Sequence, residues 1–244
     1  MSDCEQLEIV FDLNALAATA VLQTIMDVIH KLGLPDEIKI ALTHVEYKSV
    51  KYEKLLKQAK QKGHFSRFFT GKLSHDFGIV ANWEHSFIHI REQERGAAKN
   101  WDEWLTPFIN VPGFVQARVS DMEFDHWQNA EDFLEYECGG RDYSGLPLIS
   151  NGLPPPLEQK VVDISGNPGR RIIKKGYIEA VGLRMWFGQV FWNLIGKKNP
   201  KQLEAAGWTI TELPGGITYL ETDKFHEGFS VEQQAALRSA IYGE

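Results

Sequence analysis

Residues 161–192, VVDISGNPGRRIIKKGYIEAVGLRMWFGQVFW, decide how this chain is read. The stretch opens with a buried-strand signal over 161–164. It then passes into the turn cluster Ser165-Gly166-Asn167-Pro168-Gly169, where Gly and Asn tolerate positive φ and Pro presets φ. Arg170 and Arg171 follow directly. From Tyr177 the chain is apolar and aromatic almost without relief, with Met185, Trp186, Phe187, Phe191 and Trp192 crowded together. Gly176, Gly182 and Gly188 recur at even spacing, which suits bends or bulges in a curved antiparallel pair. So apolar a run must be buried on at least one face, and the expectation is a core hairpin that the other elements cover.

The string GNPGRR (166–171), followed by GYxEAVGxRMWFGxxFW (176–192), resembles the immunity-protein family numbered fifty-two. These are small bacterial proteins encoded beside polymorphic toxins and type VI effectors. The likeness is strongest over 163–192, continues more faintly through the C-terminal strand pair and helix, and places little of residues 1–110. It implies a non-enzymatic protein that binds and neutralises a cognate toxin, commonly a nuclease of the restriction-endonuclease-like class. The motif residues themselves read as structural.

Composition sets outer limits. A chain of 244 residues suits one α+β domain over 1–244, with a possible subdomain boundary in the Gly/Pro-rich connector at 139–158. No run of 18 apolar residues occurs, so no membrane span is expected. The opening MSDCEQLEIVFDL carries acids where a secretory signal needs a basic region. Cys4 and Cys138 form no framework and no CxxC pair, which fits a reducing cytoplasm.

Taken in order, residues 8–13 read as a strand, and 15–32 as a helix closed by Gly33 and Pro35. Residues 38–47 read as one continuous strand. A lysine-rich helix follows over about 50–62, its stripe of Lys48, Lys51, Lys54, Lys57 and Lys60 expected to be a solvated face. Residues 77–83 and 86–93 suggest a hairpin around Glu84-His85, and 101–111 a helix with Asn100 as N-cap. Residues 114–124 alternate as a strand and 130–137 read as a helix. The connector holds Pro154-Pro155-Pro156, which fits neither helix nor central strand. Residues 200–206 give a short helix, and 208–213 with 217–221 a hairpin across Pro214-Gly215-Gly216. A capping-box pattern, Ser230 with Gln233, opens the last helix. The expected fold is α+β, a largely antiparallel sheet of hairpins with helices packed on one side.

Most catalytic templates are absent: no GxSxG, Walker loop, GxGxxG after a strand, or HExxH occurs. His85 and His89 share a strand face but lack a third ligand, so no metal or cofactor is expected. Asp36, Glu46 and Lys48 spell a PD…ExK pattern, in which two carboxylates hold one divalent metal. On a continuous strand Asp36 and Glu46 would lie roughly 30 Å apart, so the match is read as accidental, with a metal-dependent nuclease as the enzyme alternative.

The strongest functional feature is charge. The formal net charge is −7, and residues 121–137 carry seven acids and no Lys or Arg. Asp121, Glu123 and Asp125 would share one strand face, and Glu131, Asp132 and Glu135 one helix face, with Glu137 beyond. Phe124, Trp127, Phe133 and Tyr136 are interleaved. A nuclease binds phosphates through a basic cleft, and an inhibitor bearing carboxylates and aromatics can occupy it. The expected partner surface is therefore Asp121, Glu123, Asp125, Trp127, Glu131, Asp132, Glu135, Tyr136 and Glu137, with the loop at Arg141, Asp142 and Tyr143. The same acidity argues against direct nucleic-acid binding, although Arg170, Arg171, Lys174 and Lys175 could pair with the strip or with a toxin. The remaining alternative is an effector adaptor or chaperone that binds without inhibiting.

Overall fold

The computed structural model describes residues 4–43, 46–196, 200–222 and 231–243. Fourteen strands and eight α-helices are described. The strands are β1 (Glu5–Asp12), β2 (Ile38–Ala41), β3 (Tyr47–Ser49), β4 (Phe65–Thr70), β5 (Leu73–Val80), β6 (His85–Glu92), β7 (Phe114–Asp121), β8 (Leu148–Ser150), β9 (Lys160–Val162), β10 (Ile172–Lys174), β11 (Tyr177–Glu179), β12 (Arg184–Phe187), β13 (Ile210–Leu213) and β14 (Ile217–Glu221). The helices are α1 (Ala18–Lys31), α2 (Tyr52–Lys62), α3 (Trp101–Ile109), α4 (Met122–Asn129), α5 (Phe133–Gly139), α6 (Gln189–Leu194), α7 (Lys201–Ala205) and α8 (Val231–Tyr242).

Ten strands form one sheet in the order β13-β14-β12-β7-β1-β6-β5-β4-β2-β3, and every described pairing in it is antiparallel. The fold is α+β, with helices on a large antiparallel sheet. Successive side chains of a strand point to opposite faces, so each strand feeds two layers. Leu7, Ile9 and Phe11 of β1 join the apolar stripes of α1 and α3 in the larger core. Val10 points the other way and joins Val115, Phe187, Phe191 and Leu237 in a second core. Helices therefore cover both faces, not one: α6 and α8 lie opposite α1 and α3. The lysines of α2 are all exposed, while Leu55 and Ala59 pack inward.

Three sequence expectations change. The segment 38–47 is not one strand: it turns between β2 and β3, with Leu42 N–H donating to Glu46 O and the Thr43 hydroxyl accepting from Glu46 N–H. Residues 161–192 are not a single hairpin. They supply β10–β11 as a small separate pair, then β12 in the main sheet, then helix α6, because the apolar run switches element at Gly188. A short all-apolar run carries no period that tells a strand from a helix. Strand β4 was absent from the sequence reading and pairs β5. Ser230, half of the expected capping box, lies outside the described residues.

The glycines flanking β12 have a physical reason. A Cβ on Gly182 would lie 2.7 Å from Val119 O, and one on Gly188 2.6 Å from Phe114 O, so β12 closes against the β7 backbone only without side chains at its ends. Across the 139–158 connector, β7 and β12 are hydrogen-bonded neighbours.

Candidate functional site

The register lays one polar row across four strands. Arg118 of β7 stands opposite Glu8 of β1, Glu8 opposite His89 of β6, and His89 opposite Asp76 of β5. Arg118 Nε donates to Glu8 Oε2 at 3.0 Å, and its two Nη atoms take both oxygens of Asp125, from α4, at 2.8 Å each. His89 Nε2 lies 2.8 Å from Glu8 Oε1, while its Nδ1 meets Arg91 Nη2 at 2.6 Å. Nδ1 also lies 3.2 Å from Asp76 Oδ2, so both ring nitrogens of His89 face a carboxylate. Arg171, the last residue of GNPGRR, reaches Glu8 Oε1, and Arg91 also binds Asp76. Three guanidiniums thus face three carboxylates.

Burial alone would raise the Glu8 carboxyl, but Arg171, Arg118 and His89 outweigh it and hold Glu8 well below the usual carboxylate range. Asp76 is likewise held down, at about 2, by His89 and Arg91 against the pull of burial. Arg118 is desolvated, yet Asp125 and Glu8 keep its guanidinium firmly charged. A buried charge left alone would cost several kcal/mol, so each member of the row depends on its neighbours. At the solvent end the row opens into a groove of about 370 Å³ lined by Gln6, Met122, Asp125, His126, Asn129 and Arg171.

The GNPGRR loop locks onto α4 beside this row. Asn167 Nδ2 donates to Gln128 O at 3.0 Å, Gly169 N–H to Gln128 Oε1 at 2.8 Å, and Arg171 N–H to Asn129 Oδ1 at 2.6 Å. A Cβ on Gly169 would sit 2.5 Å from Gln128 Cγ. The other basic residues of this region pair elsewhere than the acidic strip: Lys174 with Glu179 and Lys175 with Glu84.

On the opposite face His75 is fully buried, its Nε2 2.8 Å from Thr70 Oγ1 and its ring against Phe68 and Trp104. Burial pushes its imidazole from 6.5 down to about 3, with Asp76 opposing only partly. The unfolded chain therefore takes up a proton that the folded chain refuses once pH falls below 6.5. Stability is complete above that pH and declines through the acid range, by about 2 kcal/mol at pH 5. Urea unfolding at pH 7 and pH 5 should show this loss in the wild type and a smaller one in His75→Gln; an equal loss in both would contradict the assignment.

The acids of 121–137 do not form the two faces the sequence suggested. Strand β7 ends at Asp121, whose carboxylate caps α4 by accepting from Phe124 N–H at 2.6 Å. Glu123 and Asp125 thus fall on the first turn of a helix, where the macrodipole favours carboxylates, and not on a strand face. Helix α5 begins only at Phe133, with Asp132 as its N-cap accepting from Leu134 N–H at 2.9 Å, so Glu131 precedes the helix that holds Glu135. Asp121 and Asp125 are engaged within the fold, and Tyr136 is buried with its hydroxyl on Ala130 O. Glu123 pairs with Arg141, whose guanidinium stands 4.2 Å over the Trp127 ring. Tyr143 stacks on Phe133 and donates to Glu137, and Asp142 is exposed beside Ser144. Glu131, Asp132, Glu135 and Glu137 remain exposed. Among the described residues no Lys or Arg lies within ion-pair distance of these four.

The PD…ExK residues stay apart in the turned segment. Asp36 faces His30 at 3.4 Å. Glu46 lies at the turn beside Leu42, past the end of β2 away from Asp36. Among the described residues no group of three or more His, Cys, Asp or Glu could hold a metal ion, and no helix is long and apolar enough to cross a membrane.

No family model matches this chain, and no curated protein does. A solved structure does resemble it. It is that of the Pseudomonas aeruginosa T6SS protein PA0821, with a TM-score of 0.53 at 11% identity, covering 98% of this chain and 72% of that one. At that identity the likeness is one of fold.

Sequence reading missed the polar row. Its signal was present as single polar residues set into apolar alternation, Glu8 in EIVFD, Arg118 in FVQARVS and His89 in SFIHIRE. Only the strand register shows that they meet.

Proposed function

We propose that this chain is an immunity-type protein of a type VI-associated system: a non-enzymatic, cytoplasmic inhibitor that binds a cognate protein toxin. The reading is supported by the 166–192 motif string, by a fold shared with a T6SS protein, and above all by surface charge. The exposed carboxylates of Glu131, Asp132, Glu135 and Glu137 stand unneutralised on α5 and at its start, directly after α4, the helix tied to the buried row through Asp125. Such a surface complements a basic, phosphate-binding cleft, the feature any nuclease toxin must carry. Occupying that cleft excludes its substrate, and long-range attraction speeds the encounter.

The test is co-expression, in a heterologous bacterial host, with the product of the gene adjacent to that of this chain. The wild type restores growth. The Glu131→Lys/Glu135→Lys variant, which leaves the α5 cap Asp132 in place and is checked for folding by circular dichroism, binds about 100-fold more weakly and fails to protect. Binding without protection would replace the inhibitor reading with that of an adaptor.

A further inference from the structure

Residues 144–162 form an arm whose apolar side chains point outward. Strands β8 and β9 pair in the register Leu148↔Val162, Ile149↔Val161 and Ser150↔Lys160. The arm is rooted beside the acidic helix: Val162 N–H donates to Glu131 O at 2.9 Å, Asp163 N–H donates to Pro147 O at 2.8 Å, and Val162 is buried against Ala130 and Tyr136. Beyond that root Leu146 is 38% exposed, Leu148 46%, Ile149 52%, Leu153 49% and Leu157 65%. Leu134, also exposed, stands among the acids at the base.

The polar groups of the arm are spent on holding its shape. Asn151 Oδ1 accepts from Leu153 N–H and Gln159 N–H at 3.2 Å each, and its Nδ2 donates to Leu157 O at 3.1 Å. Ser150 Oγ accepts from Gly152 N–H and donates to Glu158. The three prolines at 154–156 fix φ along the tip. A loop so ordered costs little further entropy on binding. Clustered aliphatic side chains in water mark an interaction surface.

We propose that this arm is the principal anchor for the partner, inserting as a wedge into an apolar cleft edged by Lys and Arg. This deepens the function proposed above and rests on it. Two observations set the partner's chemistry. Leu148 and Ile149 are adjacent in one strand and so face opposite ways, which suits a slot with two apolar walls more than a flat patch. Exposed Glu131, Asp132, Glu135, Glu137 and Asp142 lie at the base, with Glu158 near the tip, and these call for basic rims. The same acids disfavour a second copy of this chain, since a symmetric pair would set like charges against each other.

Titration calorimetry with the purified product of the adjacent gene tests the arm in the full chain. The Leu148→Ser/Ile149→Ser/Leu157→Ser variant should lose about 100-fold or more in affinity, expressed as faster dissociation. Those side chains are exposed, so thermal unfolding should match the wild type. Hydrogen exchange on the wild-type complex, which needs no variant, should protect the amides of 148–162. Affinity within threefold of the wild type and unprotected arm amides would overturn the anchor while leaving the acidic-surface reading standing if charge reversal still weakens binding. Failure of the wild type to bind the product would overturn both. Self-association that the arm variant abolishes would assign the arm to a second copy and overturn the proposal.

Discussion

Replacing Arg118 with Leu should lower the unfolding free energy by about 3–5 kcal/mol. The guanidinium spans Glu8 and Asp125, both largely buried, and also reaches Val181 O at 3.3 Å. Leucine fills part of the volume but leaves two carboxylates facing each other without their common partner. Glu8 keeps Arg171 and His89, whereas Asp125 keeps only polar neighbours, Gln6 and Ser120. The cost should therefore fall most heavily on α4. Arg118→Lys retains the charge but not the two-pronged contact, so an intermediate loss of about 1–2 kcal/mol is expected. Urea denaturation of the three proteins at neutral pH measures both values. A loss below about 1 kcal/mol for the Leu variant would show that the row tolerates a missing member and is not the clamp described.

That row accounts for the second arginine of GNPGRR, while the first folds its guanidinium back onto Asn167 O of the turn. The loop sits on the end of α4 through backbone and amide contacts, and Arg171 then enters the row while Arg170 O accepts from Arg238. The loop, α4 and the central strands are one connected network. The acidic surface is in this way held by the sheet and is not a loose appendage.

Local chemistry was legible wherever a period or a turn residue was long enough to read. Helix α1 announced itself through Val21, Leu22, Ile25 and Ile29 on one face, and Gly33 closes it at φ +58°. The β13–β14 hairpin turns at Gly215 and Gly216, both at positive φ, where the Pro-Gly-Gly signal placed it. The β5–β6 hairpin was located, though β5 starts earlier than read. The turn after β2 was illegible because it contains no Gly, Pro, Asn or Asp; a threonine hydroxyl does that work.

The acidic segment misled through its density. Seven acids in a short span suggested a continuous charged face. Two of them, Asp121 and Asp132, are N-caps, and three more, Glu123, Asp125 and Glu135, occupy first turns. Two consecutive short helices need such residues twice over. What survives as a free surface is smaller and lies at the base of an apolar arm that the sequence showed only as a Gly- and Pro-rich connector. Tertiary pairing across the sheet could not be read either, since Glu8, Arg118 and His89 are far apart in sequence.

The central claim is that this surface steers a basic protein partner. The association rate constant with the product of the adjacent gene, measured by stopped flow from low to high salt, tests it most directly. The rate should fall about 10-fold or more between 0.02 and 0.5 M salt, with a much flatter dependence for Glu131→Lys/Glu135→Lys. A rate that ignores salt, or that rises with it, would contradict it.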